Sequence, residues 1–201
     1  TACKCLNLTV PTGGTLNGDN DTLTVAGDFT ISGGLIGKSC FDFNGASGYI
    51  NCGSDSSIDN IFDGGGTFEV WINVDSDGET NNGRICDKSE WNFQVNSESG
   101  GKTKLSLYHN FSSTSGLWDT TVTELTNGKW HHVAVTFNNG DVTNDPIIYV
   151  DGKQVAITES STPVGTRLTD ASSTLFLGNS SASDARPFDG RIAMVRVFSD
   201  I

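Results

Sequence analysis

The acidic residues of this sequence are poorly spaced for hydrolysis of a glycosidic bond. That reaction uses two carboxylates that flank the scissile bond, which requires both side chains to face one cleft. Glu69 is the only acidic residue within its predicted strand, whereas Glu98, Glu124 and Glu159 lie near predicted loops. The sequence also contains no Gly-x-Ser-x-Gly motif of the kind that carries a nucleophilic serine. We therefore predict that the protein is not an enzyme.

The histidines and cysteines do not match the spacing of a zinc site. His131 and His132 are adjacent in a predicted strand, where neighbouring side chains point to opposite faces and cannot bind one ion together. Cys3 and Cys5 are separated by one residue, but no second pair of Cys or His accompanies them. These two cysteines could join another chain, pair with Cys86 or stay reduced.

A disulfide is predicted within the first hairpin of the main domain. If that hairpin is centred on Ala46, then Phe43 faces Tyr49 and Cys40 faces Cys52. Directly opposed residues of an antiparallel pair bring their Cβ atoms close enough for a bridge. We therefore predict a Cys40–Cys52 disulfide and an oxidising, extracellular setting. The alternative is that both cysteines are small apolar side chains.

Composition predicts an all-β chain with many tight turns. The 201 residues include 24 glycines and only 4 prolines, and no ten-residue stretch shows the apolar stripe of a helix. No apolar run approaches the roughly 20 residues that span a bilayer. The net charge of −12 argues against nucleic acid as a partner, because phosphate backbones attract basic surfaces.

Residues 1–34 differ from the rest and are predicted to form a β-rich arm, followed by the main domain at residues 35–201. Leu23, Val25, Phe29 and Ile31 share strand parity between Gly-Gly and Asn-Gly corners, in the manner of a β-solenoid. One or two such rungs cannot bury a core, so we expect the arm to pack on the main domain or on a neighbouring chain. Both ends of the chain fall in mid-pattern, and we expect a fragment of a longer protein.

Two ranges near the middle of the chain carry a family resemblance. Residues 128–137 alternate as a strand rich in β-branched and aromatic side chains, and residues 147–155 contain Asp151-Gly152, which favours a two-residue hairpin turn. This block resembles the laminin G and pentraxin modules of the concanavalin A-like lectins. Further ranges that match these modules are 40–52, 67–74 and 187–198. The resemblance implies two curved antiparallel sheets packed face to face as a jelly-roll β-sandwich, and the strand count fits that class.

The resemblance also implies a calcium site at one rim of the sandwich. Laminin G and pentraxin modules often hold Ca²⁺ with loop carboxylates, Asn side chains and backbone carbonyls. Motif matching places the two ligand loops at residues 87–90 and 178–184. The candidate calcium ligands are Asp87, Glu90, Asn179 and Asp184. Ordinary solvated turns are the alternative.

Sugar binding would need flat aromatic rings beside hydrogen-bonding side chains in a shallow groove. Trp71 and Trp130 fall on core positions of the resembled family, so we expect both to be buried. Trp118 lies in a polar stretch with no evident strand partner, and it is the best candidate platform. Tyr108 and Asn110 are nearby and complete the candidate ligand-binding set. The alternative is a Trp that closes one end of the sandwich.

These observations favour a non-enzymatic recognition module, extracellular or on a virion surface, that binds a glycan or a cell-surface receptor with calcium as the candidate cofactor. The module would belong to a larger adhesin or phage structural protein and contact neighbouring subunits. One alternative is a purely structural subunit of such an assembly. Another is an accessory domain of a secreted glycoside hydrolase.

Overall fold

The computed structural model describes residues 23–24, 40–180 and 186–199. The strands in chain order are β1 (Leu23–Thr24), β2 (Phe41–Asn44), β3 (Ile50–Asn51), β4 (Gly66–Val74), β5 (Arg84–Asp87), β6 (Trp91–Asn96), β7 (Lys102–His109), β8 (Gly116–Thr120), β9 (Leu125–Thr126), β10 (Trp130–Phe137), β11 (Ile147–Val150), β12 (Lys153–Val155), β13 (Ile157–Ser161), β14 (Phe176–Leu177) and β15 (Asp189–Phe198). Two short 3-10 turns, Ser56–Ile58 and Glu79–Asn81, are the only helical elements within those ranges. None of the helical turns found there has the length or the apolar character needed to cross a membrane.

The strands form two sheets that pack as a sandwich. One sheet has six strands in the order β12-β11-β10-β4-β15-β2. The other has nine, in the order β1-β3-β14-β5-β6-β7-β8-β13, with β9 paired to β7. All described pairings are antiparallel except β1 with β3. The predicted all-β, jelly-roll sandwich is confirmed.

The core is built from strands whose apolar residues alternate with polar ones. In β4, Phe68, Val70 and Ile72 are fully buried, and β10 pairs along its whole length with that strand. In the facing sheet, β6 contributes Trp91 and Phe93 to the same core. Because side chains alternate across a strand, burial of these residues directs their neighbours to the outward faces. Each fully buried apolar side chain contributes about 1.5–3 kcal/mol to stability.

The predicted hairpin turn at Asp151-Gly152 is present between β11 and β12. Both residues have positive φ, 50° for Asp151 and 74° for Gly152, which is the two-residue geometry that matches strand twist. The Asp151 carboxylate holds the turn against β10, since Oδ2 lies 2.8 Å from Nδ1 of His131 and Oδ1 accepts the backbone N–H of His132. The adjacent histidines thus diverge: the His132 ring instead lies 3.3 Å from a Glu69 carboxylate oxygen.

The predicted hairpin across residues 40–52 is wrong. Strand β2 pairs with β15 in the six-stranded sheet, whereas β3 pairs with β14 in the nine-stranded sheet. The connection crosses between the sheets, and it uses positive φ at Gly45 (69°) and Gly48 (102°) to do so. The backbone N–H of Gly45 donates to Phe188 O, which fixes the crossing point.

The predicted Cys40–Cys52 disulfide is wrong for the same reason. The two cysteines flank strands that belong to different sheets, and both are free thiols, as is Cys86. Burial raises the pKa of the Cys52 thiol to about 11. Cys3 and Cys5 lie outside the described residues. So does most of the predicted arm at residues 1–34, and its boundary with the main domain stays a prediction.

Candidate functional site

The candidate calcium ligand Asp87 lies at the end of β5 and is already engaged within the protein. Its Oδ2 atom lies 3.3 Å from Nε of Arg84, and its Oδ1 atom accepts the backbone N–H of Ser89. Glu90 follows in the same turn, and its Oε2 atom is buried without a hydrogen-bond partner. The Asp87 carboxylate therefore has partners within the protein, whereas one oxygen of the Glu90 carboxylate has no hydrogen-bond partner.

The second candidate loop is held together by Asn179. This side chain is fully buried, its Nδ2 donates to Gly48 O, and its Oδ1 accepts the backbone N–H groups of Ser180 and Arg186. Asp184 lies outside the described residues. Across the ranges that the structure describes, no three side chains among His, Cys, Asp and Glu are grouped to hold a metal. Asp87 and Asn179 serve the fold in this geometry, and calcium binding stays a prediction.

The expectation that Trp118 is an exposed platform is wrong. The stretch that contains it is not a loop but includes strand β8, in which Trp118 points into the core with 0% exposure. Its indole Nε1 donates a 2.7 Å hydrogen bond to Asp145, and its ring lies 5.1 Å from that of Phe137. Trp118 therefore fills the interior, as in the alternative of a Trp that closes the sandwich.

Tyr108 and Asn110, two of the three predicted ligand residues, lie close together. Trp118, the third, is not part of their group. Tyr108 is half-buried on the outward face of β7, and its hydroxyl donates a 2.7 Å hydrogen bond to Oδ1 of Asn110. Ser115 donates to the same oxygen at 2.8 Å. On β8, the residue opposite Tyr108 is Leu117, so Trp118 points to the other side of the sheet.

Trp71 and Trp130 are not the core residues that the sequence predicted. Both are half-buried on the outward face of the six-stranded sheet. Side chains alternate between the two faces along β4 and β10, and the residues next to these tryptophans face the core. The Trp71 ring lies 5.4 Å from the His132 ring at an interplanar angle of 56°. The Trp71 and His132 rings thus partly shelter each other.

Polar side chains converge on the outward face of the nine-stranded sheet. Strand register aligns them in two rows that run across β5, β6, β7 and β8. The first row consists of Asp87, Asn92, Tyr108 and Leu117, extended by Phe176 of β14. The second row consists of Arg84, Gln94, Ser106 and Asp119. We call the polar face the set formed by Arg84, Asp87, Asn92, Gln94, Ser106, Tyr108, Asp119 and Phe176.

One end of the polar face is a fixed carboxylate. Asp119 accepts hydrogen bonds from Asn96 Nδ2 at 3.0 Å, from Ser106 Oγ at 2.5 Å and from Ser160 Oγ at 2.5 Å. These donors come from strands β6, β7 and β13, on both sides of β8. Side chains from three strands therefore hold the Asp119 carboxylate in one orientation. It would not need to rearrange when a ligand binds.

The centre of the polar face holds buried polar atoms without partners. Asn92 is 3% exposed and Gln94 4% exposed, yet Oδ1 of Asn92 and Oε1 of Gln94 have no hydrogen-bond partner. The opposite side of the Gln94 amide is satisfied, since Nε2 donates to Asn82 Oδ1 at 2.9 Å. An unsatisfied buried polar group costs about 1–3 kcal/mol, so such atoms call for an explanation. A hydroxyl donor of a bound molecule would satisfy either oxygen only after the side chains that cover it had moved.

The sequence interpretation missed Arg84, Asn92 and Gln94. A signal was present, because the alternation of apolar and amide residues from 91 to 95 places both amides on the outward face. What the sequence does not show is the register with β7, which sets Asn92 opposite the predicted ligand residue Tyr108. An outward amide on a strand is ordinarily a solvated one, and only the burial and missing partners distinguish these two.

Comparison with known proteins identifies the family of the chain. A family model described as the concanavalin A-like lectin/glucanases superfamily, of laminin G type, matches residues 44–201. None of the curated proteins compared with the sequence matches it.

Two solved structures with TM-scores above 0.5 share the fold. A candidate carbohydrate-binding protein from Bacteroides ovatus ATCC 8483 is 24% identical with a TM-score of 0.51, over 76% of this chain and 41% of that one. Domains LG4-5 of the mouse laminin alpha1 chain are 16% identical with a TM-score of 0.53, over 78% of this chain and 40% of that one. The Ruminococcus gnavus IT-sialidase CBM40 is 16% identical with a TM-score of 0.49, over 75% and 87% of the two chains. This chain thus spans about two fifths of the length of the first two.

Proposed function

Because the chain belongs to a laminin G-type family of the concanavalin A-like lectin/glucanases superfamily, we propose that it is a glycan-binding module whose polar face is the binding site. The observation that carries the proposal is the pair of buried amide oxygens, Asn92 Oδ1 and Gln94 Oε1, that lack hydrogen-bond partners on an outward sheet face. Sugar hydroxyls are suited to such oxygens, since each hydroxyl can donate one hydrogen bond and accept others.

The surroundings of these oxygens supply the other contacts that a sugar needs. Tyr108 lies opposite Asn92 on one side, and Phe176 lies opposite Asp87 on the other. Both rings are half-buried and aromatic, so they can pack against the C–H patches of a pyranose ring. A ligand aligned with the first row would meet an aromatic ring at each end and hydrogen-bonding groups between them.

The proposal predicts that one part of the site is fixed and another part moves on binding. Tyr108 is held by Asn110, and Asp119 by three donors, so these two side chains are fixed before a ligand arrives. The amide oxygens of Asn92 and Gln94 are buried, so the side chains that cover them must move before a sugar hydroxyl can reach them. Pre-positioned side chains reduce the entropy lost on association. Uncovering the buried amide oxygens costs part of the binding free energy, and we expect dissociation constants in the range of roughly 1 µM to 1 mM.

Several finer features of the proposal rest on the sequence resemblance alone. These are an extracellular or virion-surface location, membership of a larger adhesin or phage structural protein, and assistance by calcium. Titration with and without Ca²⁺ tests the last of these, because a bridging ion would make glycan binding sensitive to EDTA.

A glycan array followed by isothermal titration calorimetry tests the proposed function. We expect binding to at least one class of glycan and a loss of binding in Tyr108→Ala. The matched control is Tyr149→Ala, which removes a half-buried tyrosine from the outward face of the other sheet. Tyr149→Ala should bind as the wild type does. Failure of every glycan to bind, or equal binding by both variants, would overturn the proposal.

A further inference from the structure

Lys88 is the only lysine of the described residues whose side chain is completely buried, and its amine lies between two carboxylates. Nζ lies 2.8 Å from Asp59 Oδ1 and 3.1 Å from Asp170 Oδ1. It also donates to the backbone oxygen of Asp170 at 2.8 Å. An amine that is held against a carboxyl group away from water is arranged for formation of an amide bond, since the two groups are already in contact and little solvent competes for them.

The two carboxylates that contact Lys88 are not equivalent. Besides the lysine, the buried Asp170 carboxylate accepts hydrogen bonds from Trp91 Nε1 at 2.7 Å and from the backbone N–H of Asn60 at 2.5 Å. The Asp59 side chain is 17% exposed, and its Oδ2 accepts a long hydrogen bond of 3.4 Å from the backbone N–H of Ser172. Asp170 is therefore fixed by several short contacts. Asp59 has room to change its geometry, as a carboxyl carbon must when an amine adds to it.

From this arrangement we infer that Lys88 and Asp59 condense to form an intramolecular amide bond, an isopeptide bond between Nζ and Cγ. The ion pair of the structure is the state that precedes this reaction. Nζ is at most about 4 Å from Asp59 Cγ, which is one C–O bond length beyond the 2.8 Å contact. A small rotation of the side chains brings the two atoms to the roughly 3–3.5 Å from which attack occurs. The modification is independent of the proposed glycan binding.

The condensation needs no further reactant. A proton first moves from Nζ of Lys88 to the Asp59 carboxylate, which gives a neutral amine and a neutral carboxyl group. The Nζ lone pair then attacks Cγ, and the Asp170 carboxylate takes a second proton from the nitrogen of the tetrahedral adduct and returns it to the hydroxyl group of that adduct. The C–O bond breaks, and one water molecule leaves by the exposed side of Asp59. Ammonium and carboxylate thus become amide and water, and Asp170 ends as it began.

The bond ties the two sheets of the sandwich together. Asp59 lies before β4 of the six-stranded sheet, and Lys88 follows β5 of the nine-stranded sheet, so the bond closes a loop over residues 59–88. A covalent link of this kind stabilises a fold by limiting the freedom of the unfolded chain, as a disulfide does. An amide also persists in reducing surroundings, whereas the cysteines of the described residues are free thiols and supply no link.

The test is the intact mass of the whole chain, measured in denaturant after reduction. We expect the main species to be lighter than the sequence mass by one water molecule, and a peptide digest to contain a branched peptide that joins Lys88 to Asp59. An Asp-Gly pair such as Asp151-Gly152 can also lose water by forming a succinimide, so the branched peptide assigns the bond. Folded protein that keeps the full sequence mass after prolonged incubation, or that loses water only at an Asp-Gly pair, overturns the inference. A branched peptide that joins Lys88 to Asp170 instead would also overturn it.

Substitutions assign the roles in the reaction. Lys88→Arg keeps the positive charge but replaces the amine by a guanidinium that stays protonated, so this variant should keep the full mass. Asp170→Asn removes the proton carrier and should slow the loss of water about a hundredfold or more. Asp63→Asn is the matched control, because that carboxylate pairs with Arg167, and it should lose water as the wild type does. Loss of water by Lys88→Arg at the wild-type rate, or an unchanged rate in Asp170→Asn, contradicts the assignment. The wild-type mass and peptide map decide the question even if Lys88→Arg fails to fold.

Discussion

Lys88 Nζ lies 2.8 Å from Asp59 Oδ1 although the Lys88 side chain is completely buried. The same ammonium donates to the backbone oxygen of Asp170 at 2.8 Å and lies 3.1 Å from its Oδ1 atom. Asp170 is held in turn by Trp91, whose Nε1 donates to Oδ2 at 2.7 Å. A buried charge is tolerated only when paired and hydrogen-bonded, and the three donors of Lys88 are matched by three acceptors.

Removal of the ammonium is therefore expected to destabilise the protein strongly. Lys88→Ala leaves two carboxylates without their cation in a buried site, and breaking a buried ion pair in this way costs about 3–5 kcal/mol. The measurement is the free energy of unfolding from urea titration. Lys102→Ala, at an exposed lysine, is the control and should change it by less than about 0.5 kcal/mol. Equal effects of the two substitutions would show that the Lys88 network does not stabilise the fold.

His109 is expected to make stability depend on pH. Burial lowers the pKa of this imidazole to about 4, from 6.5. Nδ1 donates to Asn110 O, and Nε2 accepts from Asn139, so the neutral ring is the form that fits. As the pH falls below 6.5, the His109 imidazole takes up a proton in the unfolded chain. In the folded chain the same imidazole stays neutral until about pH 4. Stability is therefore fully present above pH 6.5 and is lost toward pH 4, by about 3 kcal/mol.

His109→Gln isolates this contribution from the carboxylates that titrate in the same range. Unfolding free energies measured from pH 7 to pH 4 should fall less steeply in the variant than in the wild type. An NMR titration of the wild-type imidazole should give a midpoint near pH 4. Parallel stability profiles for both proteins, or a midpoint near 6.5, would contradict the assignment.

Trp118 is expected to matter for stability and not for glycan binding. Trp118→Phe removes the hydrogen bond to Asp145 and leaves a space beside Phe137, so it should reduce the free energy of unfolding by about 1–3 kcal/mol. Affinity for the glycan should stay within about twofold, because the ring is on the core side of β8. A specific loss of affinity with unchanged stability would place Trp118 in the binding site after all.

Local alternation predicted the strands but not all of their partners. The apolar alternation of β4 and β10 and the Asp151-Gly152 turn are local signals, and both elements form as expected. Segment 40–52 carries an equally clear hairpin pattern. Its first strand nevertheless pairs with β15, about 150 residues later, because the resulting sandwich buries more apolar surface than an isolated hairpin could.

The candidate site was predictable only in part, for a related reason. Tyr108 and Asn110 were found because they are polar residues near an aromatic one in sequence. Asn92 lies 16 positions before its partner Tyr108, and Gln94 lies 12 positions before its partner Ser106. Their role therefore depends on strand pairing that alternation does not reveal. Trp118 shows the opposite error. It has polar neighbours in the sequence, yet it belongs to strand β8, which pairs with the preceding strand β7 and with the more distant β13.

Asn92 offers a substitution that separates function from stability. Its Oδ1 atom is buried and unsatisfied on the polar face, and none of the hydrogen bonds recorded among the described residues involves its side chain. Asn92→Leu replaces the amide by an apolar group of similar size and removes the desolvation penalty of an unpaired oxygen. The free energy of unfolding should therefore stay the same or rise by about 1 kcal/mol, as happens when a group kept for binding is removed.

The same substitution should abolish glycan binding in calorimetry, since it deletes an acceptor for a sugar hydroxyl at the centre of the face. Ser160→Ala provides a comparison, because it removes one donor to Asp119 at the edge of the site and should weaken binding only modestly. A destabilised Asn92→Leu variant would mean that the amide serves the fold. A stable variant that still binds would move the glycan away from Asn92, so the two measurements together decide whether this unpaired oxygen is kept for a ligand.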